Sequence, residues 1–92
     1  LTDDGIVAMA KRCPELTDLA MYGCYHLTDA SVLAVAQHCA RLTTLNVSEC
    51  LELTDDAIAG LRRCAALREL RVTQCDRLTD GALDALTGVR CS

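Results

Sequence analysis

Apolar residues follow two alternating rhythms along this chain. Ile6, Met9, Ala10 and Cys13 recur at spacings of three and four, the stripe of an amphipathic helix. Leu19 and Met21 then alternate with Ala20 and Tyr22, as in a short strand with one buried face. Both rhythms return. Leu27, Val32, Val35, Ala36 and Cys39 form a second helical stripe, followed by Leu42, Leu45 and Val47. Leu53, Ile58, Leu61 and Cys64 form a third, followed by Leu67, Leu70 and Val72. A fourth helical stretch holds Leu78, Leu83 and Leu86. Gly88 is expected to end that helix, and the chain is expected to reach Ser92 before any strand.

The strand phrase reads L-x-x-L-x-L-x-x-C at Leu16–Cys24, Leu42–Cys50 and Leu67–Cys75, with Met21, Val47 and Val72 in the third apolar place. Three residues after each closing cysteine comes Leu-Thr-Asp, which also opens the chain. The period is 26 from Leu1 to Leu27, 26 from Leu27 to Leu53, and 25 from Leu53 to Leu78. A fixed period of this size decides the architecture. The units run 1–26, 27–52, 53–77 and a partial 78–92, all within one domain. Unit three has lost one residue between Leu53 and Cys64. Its helix should end one residue early or close with a 3₁₀ turn.

Helix boundaries are written in the same phrases. Thr2 precedes the first stripe and can accept a hydrogen bond from an orphan backbone N–H. Asp3 and Asp4 meet the positive end of the helix dipole, Lys11 and Arg12 the negative end, and Pro14 forbids continuation. Asp3-Asp4 and Asp55-Asp56 look like acid/base pairs, but their recurrence at helix starts is explained by capping. No single unit can bury its apolar side alone, so the units must stack. Strands pair in parallel at roughly 4.8 Å, while helices are about 10 Å across. The stack should therefore curve, strands inside and helices outside.

Composition narrows the chemistry. Half of the 92 residues are apolar, yet there is no Phe or Trp, and the two tyrosines, Tyr22 and Tyr25, are the aromatics. The core must be aliphatic with thiols. Nine basic against thirteen acidic residues give a net charge of −4, which argues against a nucleic-acid or anionic-membrane surface. No apolar run approaches the roughly 20 residues that span a bilayer, and no signal peptide is recognisable. The first residue is Leu rather than Met, which points to a piece of something longer. Seven cysteines are an odd number for a paired framework. Cys13, Cys39 and Cys64 each precede a strand phrase by three residues, Cys24, Cys50 and Cys75 each close one, and Cys91 stands apart. Such spacing serves the repeat. It favours buried free thiols over metal or disulfides, and so a reducing compartment, cytoplasmic or nuclear.

On these residues, from Leu1 to about Leu86, the chain resembles the cysteine-containing class of leucine-rich repeats. The resemblance implies an α/β leucine-rich-repeat solenoid, a horseshoe with short parallel strands on the concave face and helices on the convex face. Repeats of this class are similar to those that follow an F-box in ubiquitin-ligase receptors, where the solenoid holds the target. The implied function is a protein–protein interaction module for substrate recognition. The alternative is a structural or scaffolding segment of a larger cytoskeletal or ciliary assembly. A third reading is a bare fragment with no activity in isolation.

Function should reside in the side chains that the strand phrases point away from the core. These are Asp18, Ala20 and Tyr22 in unit one, Thr44, Asn46 and Ser48 in unit two, and Glu69, Arg71 and Thr73 in unit three. Glu49 and Gln74 lie beside them. A protein partner is expected on this face, with no nucleic acid, no membrane and no cofactor. Tyr22 is the strongest anchor, since an exposed aromatic can carry an interface. No nucleophile–base–orienter set and no phosphate-cradling glycine loop appear, so no catalysis is expected. Without polar caps at its ends, the chain is expected to be weakly stable or to self-associate.

Overall fold

A computed structural model describes residues 2–92; Leu1, which opens the first Leu-Thr-Asp, lies outside the described residues. Among the described residues four helices alternate with four strands: α1 (Asp3–Arg12), β1 (Asp18–Ala20), α2 (Asp29–His38), β2 (Thr44–Asn46), α3 (Asp55–Leu61), β3 (Glu69–Arg71), α4 (Asp80–Asp84) and β4 (Arg90–Cys91). The strands form one parallel sheet in sequence order, β1-β2-β3-β4. Each helix packs on the next in sequence, as each strand does. The architecture is α/β, with a helical layer and a parallel sheet enclosing a single core.

The helix starts follow the expected logic. Thr2, Thr28, Thr54 and Thr79 all sit in extended backbone, and each side chain accepts a bond from an N–H of the first turn. This satisfies one of the four orphan donors of each helix. The core is aliphatic, as composition requires: Val35, Leu42, Leu45 and Leu70 are fully buried, with Leu27, Leu53, Ile58 and Leu61 at 1–2 % exposure. Among the described residues no helix is long and apolar enough to cross a membrane.

The missing residue of unit three is absorbed at the end of α3. In unit two, Cys39 N–H reaches back to Val35 O, an α-type bond. In unit three, Arg62, Arg63 and Cys64 instead donate to Ala59, Gly60 and Leu61, three residues back. A tighter winding with about 2.0 Å rise per residue covers the same distance with one residue fewer. The helices α2 and α3 also approach closely at Gly60, where an added Cβ would collide with Leu33 Cδ2.

Unit four departs from expectation. The chain does form a strand before Ser92: β4 pairs with β3, with Arg90 opposite Glu69 and Cys91 opposite Leu70. The strand of unit three is therefore not an edge. Helix α4 ends at Asp84, and Gly88, at φ +77°, lies in the turn that leads into β4 rather than at the helix end. The short helix brings the chain back to the sheet four residues sooner than in unit three. Cys91 thereby occupies the strand position of Leu45 and Leu70, not that of a closing cysteine.

All seven cysteines are free thiols. Four of them, Cys39, Cys50, Cys64 and Cys75, form two ladders across the units. Cys50 Sγ donates to Met21 O and Cys75 Sγ to Val47 O, both at 3.0 Å, each reaching the preceding unit where the strand ends. Cys39 Sγ lies 3.4 Å from Cys13 O and Cys64 Sγ 3.8 Å from Ala36 O, at the helix ends. A thiol is small and apolar enough to bury, yet still gives these carbonyls a weak donor.

Candidate functional site

The sheet face turned away from the helices assembles the sequence-selected residues. Register places Asp18, Thr44 and Glu69 side by side in one row and Ala20, Asn46 and Arg71 in the next. Beyond the strands the ladder continues: Gly23 N–H donates to Ser48 O and Glu49 N–H to Thr73 O, both at 2.9 Å. Those bonds align a third row, Tyr22, Ser48 and Thr73. The lower two rows line a trough of about 370 Å³. All nine residues thus fall on one surface, as their spacing implied.

Their chemistry differs along that surface. Arg71 Nε pairs with Glu69 Oε2 at 3.0 Å, which holds the guanidinium down along its own strand. Asn46 Oδ1 accepts from Ser48 N–H at 3.0 Å, Ser48 Oγ from Thr73 N–H at 3.1 Å, and Thr73 Oγ1 donates to Ser92 O. These three side chains stabilise the backbone as well as facing outward. Tyr22, by contrast, is 65 % exposed, a bulky amphipathic ring projecting at the β1 end of the surface. Tyr25 follows it, its hydroxyl 3.4 Å from Glu49 Oε1 across the units.

The residue before each closing cysteine adopts left-handed backbone. Gly23, Glu49 and Gln74 share this position, at φ +73°, +64° and +62°. Glycine adopts this region freely; Glu and Gln do so at a cost.

Sequence reading missed the cluster on the helix side. Capping is only part of the role of Asp3: its carboxylate reaches into unit two. It accepts from Thr28 N–H at 2.9 Å, Thr28 Oγ1 at 2.7 Å and the buried Ser31 Oγ at 2.6 Å. Asp29 accepts in the same way from the N–H and hydroxyl of Thr54, and Asp55 from those of Thr79. Each of these threonines is at once the cap of its own helix and a donor to the unit before it. The signal was the constant Thr-Asp at a period of 25 or 26, which capping alone does not demand. Burial pushes the Asp3 carboxyl up, and the bonds from Ser31 and Thr28 outweigh it, so its pKa lies below the ordinary 3.8.

Burial raises the thiols of Cys39, Cys64 and Cys75, and that of Cys50 to about 11. They stay protonated at neutral pH, and a protonated thiol is a poor nucleophile or metal ligand. Among the described residues no cluster of three His, Cys, Asp or Glu side chains is placed to hold a metal ion. No family model and no curated protein matches this chain.

Proposed function

We propose that this chain is a protein–protein interaction module: a curved leucine-rich-repeat solenoid whose concave sheet face holds a protein target. The observation that carries the reading is the division of the strand positions. Core-facing positions repeat nearly unchanged as Leu19, Leu45 and Leu70, while the neighbouring outward row changes from Ala20 to Asn46 to Arg71. A surface that keeps its frame and varies its side chains suits recognition. Tyr22 is its anchor, with Asp18 and Arg71 at the flanks. The repeat class supports a target-recognition role in an F-box-type ubiquitin-ligase receptor of the cytoplasm or nucleus, without catalysis by these residues.

The test is quantitative capture of the bound protein by the parent chain carrying Tyr22→Ala, Arg71→Ala or, on the helical face, Gln37→Ala. Tyr22→Ala should weaken capture about thirtyfold, the scale of an interface anchor, and Gln37→Ala should not. Equal capture by all three removes the sheet face as the contact. A target that is ubiquitinated when captured supports the receptor; one that persists as a stoichiometric component of an assembly favours the scaffolding alternative.

A further inference from the structure

Charge is sorted between the two sides of the layers. The strands are parallel and each connecting helix runs back between them, so the helices finish on the side where the strands begin. Six of the nine basic residues stand on that side: Lys11 and Arg12 in the last turn of α1, Arg41 after α2, Arg62 and Arg63 closing α3, and Arg68 before β3. All six are exposed. Glu15 is the one acid in the four helix-to-strand turns. The opposite side, where the helices start, carries the repeated first-turn aspartates. The two ion pairs among the described residues use Arg71 and Arg77, so none of the six cations has a carboxylate partner there. A helix C-terminus favours nearby cations, but Arg41, Arg63 and Arg68 lie past the helix ends, and gathered like charges repel one another.

A cleft of about 250 Å³ opens within this basic side, between units three and four. Leu61, Leu67 and Leu86 line its interior, and Arg62 and Arg68 stand beside it. Its cause is internal: α4 has five residues where α2 has ten, so it leaves the end of α3 uncovered. Arg68 is set in place, its Nη1 donating to Ala65 O at 2.9 Å and to Leu67 O at 3.0 Å. Its Nε and Nη2 have no acceptor among the described residues, and that side of a guanidinium can receive a carboxylate through two parallel bonds. We propose that this side of the molecule binds an acidic protein segment. Carboxylates of the segment pair with Arg62 and Arg68, further ones meet Arg41 and Arg63, and an apolar side chain between them enters the cleft. Nucleic acid fits less well. Neither tyrosine lies on this side to stack a base, the net charge of −4 disfavours a long polyanion, and phosphates gain nothing from a leucine-lined interior.

Fluorescence anisotropy of a dye-labelled Glu-Glu-Leu-Glu-Glu peptide with the reduced 92-residue chain tests this. Binding should saturate and weaken as salt rises. Arg62→Glu and Arg68→Glu should each weaken it about tenfold. Serine in place of the peptide's leucine should cost about tenfold as well, because the buried side chain is lost. Arg77→Glu on the acidic side and Tyr22→Ala on the sheet face should bind like wild type, so failure of target capture and failure of this site are read separately. A wild-type chain that does not bind the peptide overturns the proposal, as does equal affinity for Lys-Lys-Leu-Lys-Lys. Tighter binding of oligothymidylate overturns it in favour of a nucleic-acid contact. Arginine variants that keep native circular dichroism and bind like wild type overturn it too. Should Arg68→Glu fail to fold, Arg62→Glu, at an exposed position, decides.

Discussion

Replacing Asp29 probes the joint between units two and three. Its carboxylate accepts from Thr54 N–H at 2.8 Å and from Thr54 Oγ1, and the residue is half-buried. A net hydrogen bond to a charged group is worth about 1.5–3 kcal/mol, with partial exposure favouring the low end. Asp29→Ala loses two such bonds and a favourable charge in the first turn of α2, worth about 0.5 kcal/mol more. The expected loss is about 3.5 kcal/mol, a large share of the 5–15 kcal/mol typical of a domain. Thr54→Val loses the hydroxyl bond and the cap to Asp56 N–H, about 2 kcal/mol, but keeps the backbone donor. Thr54→Ser keeps everything and should be near neutral. Urea unfolding of wild type, both single variants and the double variant measures the coupling. It should be about 1–1.5 kcal/mol, since the cycle isolates the hydroxyl–carboxylate bond. Additivity within about 0.3 kcal/mol would mean that the two residues do not act together, and the cross-unit role of the Thr-Asp phrase would be refuted.

Other outcomes are as specific. Gln74→Gly should raise stability by about 1 kcal/mol by relieving the positive φ of 62°, and Gly23→Ala should lower it by a similar amount; urea midpoints check both. In acid, the lowered pKa of Asp3 contributes stability that is complete above the unfolded value of 3.8 and is lost as pH falls through the lower folded value. The Asp3→Asn chain should therefore start less stable and show a flatter pH dependence below about pH 4. In alkali the sign reverses: Cys50, raised from 9.0 to about 11, adds stability below 9.0 that is lost as pH approaches 11. Cys50→Ala should flatten that alkaline limb. Thiol titration should find all seven groups in denaturant. In the native chain Cys91 should react first, Cys13 and Cys24 more slowly, and the four buried thiols only on unfolding; five or fewer in denaturant would indicate disulfides.

Much of the fold was legible because two periodicities alternate at a fixed interval. Thr28 and Thr54 mark helix starts, Leu45 and Leu70 mark strand centres, and a parallel sheet in chain order follows from units that cannot bury themselves alone. The short α3 was legible as well, from a single deleted residue. Unit four was not. No strand phrase led by Leu occurs there; Arg90-Cys91 forms its strand because the adjacent edge of β3 supplies partners. That is a tertiary cause, invisible in local spacing. The candidate surface was legible from alternation alone, but the ties within it were not: nothing in the sequence distinguishes Asn46, bonded to its own loop, from Tyr22, which is unencumbered. The Asp3, Asp29 and Asp55 bridges were hidden because a first-turn carboxylate already has a local explanation, and one sufficient cause masks a second.

Every helix leans on its successor, and every strand on the strand that follows it in the chain. Load applied between the two ends must therefore pass from unit to unit in series. Helix α4 buries none of its own residues, so it is the weakest link in that series. Pulled in optical tweezers, residues 78–92 should peel away before the rest, releasing roughly 50 Å of slack and leaving the three preceding units folded.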